Sequence, residues 1–329
     1  MTMQFRTSMR NNAEGGGLVG GPPVRDKIPH IIRVFPIKTR ATPDDEMAAI
    51  DRQPGLFDKA DEVHISVLFT WDIPKAERLA ESWQRIAPVK IGGPGAGSRG
   101  EDFIPGKYVK SGYVITSRGC PNRCWFCSVW KREGNEVREL PICEGHNVLD
   151  DNLLACSEGH IRRVFEMLRR QKKPIEFSGG WEAARLKPWH IDILMTVQLG
   201  QVWFAYDDDK DFEPLIAAGK MLSDAGLNRT ASGAVSHRVR CYVLIGWPGD
   251  TMEKAEARLR RAYQYGFLPM AMLYKNETGS ASKEWRRFQR PWARPASINR
   301  ICRDNIPLDK RGRCVYIESV RANHDIANK

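Results

Sequence analysis

From residue 112 onward the sequence alternates short β-rich runs with amphipathic helical runs, and this alternation limits the fold more than any other feature. Strand-like segments occur at "GYVITS" (112–117), "HNVLDDN" (146–152), "PIEFSGG" (174–180), "QVWFAYD" (201–207), "RCYVLIG" (240–246) and "PMAMLY" (269–274). Between most of them lie stretches with apolar residues at helical spacing, among them "HIRRVFEMLRRQ", "FEPLIAAGKMLSDAG" and "TMEKAEARLRRAYQYG". Strand and helix in alternation require crossover connections, which make the sheet parallel. Six such units predict an α/β protein built as a partial (β/α)6 barrel over residues 112–275, with an open doubly wound sheet as the alternative.

The cysteines follow from that frame. The chain has eight, and Cys120, Cys124 and Cys127 fall within eight residues directly after the first strand of the series. No apolar run is long enough to span a bilayer, and the N-terminus lacks the apolar segment of a secretion signal, so a cytoplasmic protein without membrane contact is expected. In a reducing compartment such a group of thiols points to a metal or redox site rather than to disulfides. Three thiolates spaced CxxxCxxC suit three irons of a cubane cluster whose fourth iron has no protein ligand. A closed zinc site needs a fourth ligand, for which His146, Cys143 and Cys156 are the candidates.

The segment "TSRGCPNRCWFC" resembles the radical S-adenosylmethionine enzymes, whose signature CxxxCxxC carries an aromatic residue before its last cysteine, here Phe126. It looks closest to the branch with methylthiotransferases and cobalamin-binding radical enzymes. The resemblance covers roughly residues 112–275 and implies a 4Fe-4S cluster on Cys120, Cys124 and Cys127 that chelates S-adenosylmethionine. One electron, from a donor such as flavodoxin or ferredoxin, then cleaves the cofactor to a 5'-deoxyadenosyl radical that abstracts hydrogen from substrate. It further implies a polar motif for the methionine amino group. Asp150 and Asp151 in "NVLDDN" are the preferred match, and Gly179, Gly180 and Glu182 in "FSGGWE", which departs from glycine-glycine-glutamate by Trp181, are the other. In "YVLIGWPGDTMEKA", Gly246, Pro248 and Gly249 are similar to the turn beside the adenosine, with Asp250 or Thr251 capping the next helix. Tyr206 and Asp207 end the fourth strand, where barrel enzymes carry ligand-contacting residues.

Residues 1–26 lack apolar periodicity and are expected to be a disordered tail, while residues 27–96 read as a small Rossmann-like α/β unit joined by a turn-rich linker, 97–111. That unit resembles a reduced cobalamin-binding domain. Its histidine motif is missing, His64 sits in a strand-like run, and cobalamin is not expected. Residues 276–329 form a basic extension. The formal charge of the chain is +11, and residues 283–329 hold twelve Lys or Arg against five Asp or Glu. Arg286, Arg287, Arg290 and Trp292 interleave with other aromatics in a mixture suited to nucleic-acid contact, or to an amphipathic cap. The substrate expectation is therefore a nucleic acid or nucleotide derivative, with a peptide or small metabolite as the alternative. A zinc-stabilised nucleic-acid-binding protein without catalysis is the reading from a different class. Cys302 and Cys314, with Cys143, Cys156 or Cys241, are read as ordinary free thiols rather than a second cluster.

Overall fold

A computed structural model describes residues 29–303 except 232 and 277. The tail 1–26, Cys314 and most of the basic extension lie outside the described residues. Two separate apolar cores divide the chain. The first belongs to β1 (Ile31–Phe35), β2 (Ala48–Ile50), β3 (Glu62–Ser66), α1 (Ile73–Trp83) and β4 (Val89–Gly92), with the parallel sheet order β2-β1-β3-β4. Helix α1 starts with Pro74 in its first turn and buries Ala76, Leu79, Ala80 and Trp83, one face at helical spacing. Strand β2 was not expected, because three residues are too few to show a period.

The second core holds the larger sheet. Its strands are β5 (Tyr113–Val114), β8 (Asn147–Val148), β9 (Ile175–Trp181), β10 (Leu199–Ala205), β11 (Val239–Ile245) and β12 (Leu268–Leu273). Between β5 and β8 the short β6 (Ser117–Arg118) and β7 (Arg138–Glu139) pair with each other in an antiparallel ladder, with α2 (Val129–Glu133) between them. Helices α3 (Glu158–Arg169), α4 (Pro188–Leu194), α5 (Phe212–Asp224) and α6 (Met252–Gln264) fill the later connections, and α7 (Lys283–Trp292) and α8 (Pro295–Arg303) follow the last strand.

All six expected strands are present and every pair among them is parallel. Their spatial order is the order in sequence. A doubly wound sheet requires that order to reverse at a switch point, and here it does not. Connections of one hand in sequential order keep the helices on one face. Phe177, Phe204, Cys241 and Val243 from the strands share that face's core with Ile161 and Phe165 of α3, Leu215 of α5 and Leu259 of α6. The chain is thus a mixed α/β protein with two parallel sheets.

The two units touch through the linker: Arg33 Nη1 donates to the Gly106 and Lys107 carbonyls at 2.7 Å each, and the Lys110 amide donates to Ala41 at 2.8 Å. His64 is satisfied between Glu62 (2.8 Å) and Tyr108 (2.6 Å), as expected of a structural histidine. Among the described residues, no helix is long and apolar enough to cross a membrane.

Candidate functional site

The cysteine loop, residues 119–137, begins and ends in the β6–β7 pair, so a two-stranded ladder closes its base. Gly119 opens it with φ +91° and stands so close to the Glu136 carbonyl that no side chain fits. Within the loop the Cys127 amide donates to the Cys124 carbonyl at 3.1 Å, and Trp130 Nε1 donates to the same oxygen at 3.0 Å. The buried Glu133 ties the far end down, accepting from the Gly100 amide at 3.0 Å and from Arg132 Nε at 2.9 Å.

Burial pushes the thiols of Cys124 and Cys127 up. The charges of Cys127 and Cys120 act on Cys124, and that of Cys120 acts on Cys127, in the same direction. Ionising one thiol therefore opposes ionising the next, a conflict that a bound cation relieves. Three soft sulfur donors on one loop fit an iron–sulfur cluster by donor chemistry. Among the described residues, no three His, Cys, Asp or Glu side chains already converge to hold a metal ion. Of the fourth-ligand candidates for zinc, Cys143 precedes β8 and the His146 ring lies against Gly112 at the start of β5, away from the strand end that carries the cysteines, whereas Cys156, after β8, lies by Ser117 at the base of the loop.

Residues following two of the parallel strands meet beside Cys120. Asn152, after β8, donates from Nδ2 to Cys120 Sγ at 3.5 Å and to Glu182 Oε2, after β9, at 2.7 Å. Its own Oδ1 is buried with no partner. Glu182 also accepts from Arg185 Nε at 2.6 Å and remains partly exposed. Gly179 and Gly180 precede it. A methyl group on Gly179 would collide with the Asp150 carbonyl, whereas Gly180, at φ +86°, has nothing within 4 Å of the place its Cβ would take. The first glycine thus lets β9 approach β8, and the second leaves open space beside Glu182. Gly179→Ala is expected to cost about 2 kcal/mol in denaturant unfolding because backbone cannot yield, and Gly180→Ala about 1 kcal/mol from its left-handed conformation alone.

Several expected ligand residues do other work. Asp150 is 1% exposed. Its carboxylate accepts from the Thr116 amide (2.6 Å), Thr116 Oγ1 (2.6 Å) and Ser117 Oγ (2.7 Å), which uses it as a brace between β8 and the strand leading into the cysteine loop. Burial raises its pKa to about 6 against these hydrogen bonds. Asp151 accepts from the Gly119 amide at 2.9 Å and has Arg132 at 3.8 Å, so it clamps the loop's first residue. Asp150 is thus fully engaged, whereas the side chains of Asp151 (17% exposed) and Glu182 (22% exposed) both stay partly open. Tyr206 is 0% exposed and packs on Phe212 among the helices, so it does not reach a ligand. Its neighbour Asp207 instead accepts from the Leu244 amide at 2.7 Å, with burial raising its pKa to about 6. The side of Gly246 that a Cβ would occupy is filled by Leu273 and Trp285, each 2.9 Å from that position, which closes it to a nucleoside. Asp250 is buried on Arg258 at 2.8 Å, and Thr251 caps α6.

Helix α7 resolves into an amphipathic cap. Trp292 is 3% exposed, Trp285 and Phe288 pack on the core, and Arg286, Arg287 and Arg290 are exposed. Trp292 is therefore not a stacking surface for a base, and only the arginine face remains outward. Cys156 and Cys302 are free thiols pushed up to about 12 by burial.

Reading the sequence missed two groups. Asn152 gave no signal apart from its place two residues after Asp150. Trp125 of the cysteine loop, 55% exposed, lies near Trp247 after β11 (6.3 Å) and Tyr274 after β12 (5.8 Å), and with Phe126 it lines the same sheet edge. The signal for these was position, since each comes shortly after a parallel strand or sits beside a cysteine of the loop.

No protein-family model matches the chain, and no curated protein matches it at a significant level.

Proposed function

We propose that this chain is a radical S-adenosylmethionine enzyme, its six-stranded sheet forming the partial barrel of that family. The observation that carries the reading is a loop with three cysteines at the carboxyl edge of the parallel sheet, one of which, Cys120, is hydrogen-bonded through Asn152 to the Glu182 carboxylate beside an open glycine. In α/β sheets, ligands bind outside the carboxyl ends of the strands. When bound, a 4Fe-4S cluster supplies one electron to the sulfonium of S-adenosylmethionine, and the 5'-deoxyadenosyl radical released removes hydrogen from substrate.

The chain's own residues have separate tasks. Cys120, Cys124 and Cys127 hold the cluster. Asp151, Asp150 and Glu133 fix the loop that carries them, through the hydrogen bonds to Gly119, Thr116, Ser117 and Gly100. Glu182 receives the methionine ammonium, a charge-assisted hydrogen bond that suits a partly exposed carboxylate better than one already saturated. Asn152 sets the orientation of Glu182 and the environment of the Cys120 sulfur. The Trp125, Trp247 and Tyr274 rings gather at the same edge and offer apolar surface to a ligand there.

The test is anaerobic reconstitution with iron and sulfide, followed by S-adenosylmethionine and a strong reductant. About four irons per chain and formation of 5'-deoxyadenosine support the proposal. A protein that takes up one zinc and yields no 5'-deoxyadenosine overturns it. Within the same assay, Glu182→Gln is expected to keep the cluster absorbance and weaken cofactor binding by about tenfold or more, the loss of one charged partner.

A further inference from the structure

The sheet face turned away from the helices carries a charge without a partner. Arg240, the second residue of β11, is 7% exposed and stands opposite Trp203 of β10 in the ladder. Its guanidinium carbon lies 4.3 Å from the centroid of the Trp203 ring, and Tyr242 stacks on the same tryptophan at 4.2 Å with 14° between planes. None of these contacts is a hydrogen bond. Among the described residues the guanidinium has neither an ion pair nor a side-chain hydrogen bond, and of its nitrogens Nε is the one both buried and without a partner. Buried guanidinia elsewhere are handled differently: Arg258 meets Asp250 at 2.8 Å, and Arg33 meets Asp45 and two carbonyls.

The charged side chain brought toward Arg240 is another cation. Arg40, an exposed residue of the connection between β1 and β2, acts on both Arg240 and Tyr242. Burial, and with it the like charge of Arg40, weakens the hold of the Arg240 guanidinium on its proton. A largely buried cation without a counter-ion is unfavourable and gains from an anion brought to it. The planar fork of a guanidinium matches the oxygens of a carboxylate or a phosphate two at a time.

We propose that Arg240, with Arg40 at its rim, binds an oxyanionic group of a ligand against the Trp203–Tyr242 stack. Arg240 lies six residues before Gly246 on the strand, or about 20 Å of β-strand. The site is therefore separate from the cysteine loop and stands whether or not the chain cleaves S-adenosylmethionine.

Thermal unfolding and titration calorimetry of the full chain in an anion-poor buffer test it, with inorganic phosphate and acetate as probes and chloride at matched ionic strength as control. Phosphate or acetate is expected to raise the Tm saturably above the chloride control. Response to phosphate alone assigns a phosphate group and response to acetate alone a carboxylate, and either supports the site. Arg240→Gln removes the unpaired charge, so its Tm without probe is expected to equal or exceed that of wild type, and the probe-dependent rise to vanish. Arg40→Ala, at an exposed position, is expected to keep the probe-free Tm and to weaken probe binding about tenfold. No saturable rise above chloride with either probe overturns the proposal. So does a rise of undiminished size in both variants. An Arg240→Gln chain that unfolds below wild type without probe, together with wild-type probe affinity in Arg40→Ala, identifies Arg240 as structural and also overturns it.

Discussion

Replacing Cys120, Cys124 or Cys127 by Ala is expected to abolish both the reconstituted cluster and the formation of 5'-deoxyadenosine, with no partial activity in any of the three. A cubane held by three protein thiolates has no spare ligand among them, and of the described cysteines outside the loop three lie apart from it. Cys143 lies before β8, while Cys241 and Cys302 are buried in the core. Cys156 is the informative control. It follows β8 near Ser117 and Asp150, its thiol pushed up to about 12 by burial, and Cys156→Ala is expected to keep iron content and cleavage. Iron content, visible absorbance and product mass together check this. Normal cleavage in any one of the three loop variants would remove that residue from the cluster, and normal cleavage in all three would remove the cluster from the loop.

Asp150→Ala is expected to be the most destabilising single substitution in the site, by about 3 kcal/mol or more, because three buried donors lose their acceptor and each costs about 1–3 kcal/mol. That is a large part of a stability of roughly 5–15 kcal/mol. Equilibrium urea unfolding measures it. The pH dependence separates the carboxylate from mere packing. Burial raises the pKa of Asp150 from 3.8 to about 6, so the folded chain binds this proton more tightly than the unfolded one. The group's contribution is therefore most favourable below pH 3.8 and declines as pH rises through 6, by up to about 3 kcal/mol at 1.36 kcal/mol per unit. Asp150→Asn has no such titration. Between pH 4 and 7 the wild type should lose stability relative to Asp150→Asn, and a constant difference over that range would show that Asp150 is not the buried proton-binding group described here. If Asp150 instead served the cofactor, its substitution would weaken cofactor binding and leave stability nearly unchanged.

Sequence pattern alone determined the six parallel strands, because each is a short β-rich run and most are followed by a helical stretch of clear amphipathic period. It also determined which thiols share a loop, since a spacing of three and two intervening residues keeps them on one short segment whatever surrounds it. It put Gly179, Gly180 and Glu182 at the end of one strand and Asp150 and Asp151 at the end of its neighbour. The choice between those two sets belonged to the tertiary structure. A carboxylate carries no mark in sequence of whether its oxygens are already taken, and only the approach of Thr116 and Ser117 to β8 saturates Asp150. Tyr206 and Asp207 differ in the same way: the pleat turns one into the helical core and leaves the other on the ladder edge. In α7 the arginines and aromatics are interleaved along the chain but separated around the helix, with Trp292 inward and Arg286, Arg287 and Arg290 outward. The unpaired Arg240 was hidden for a related reason, since an arginine inside a strand reads like any other until every neighbour able to neutralise it has been located in space.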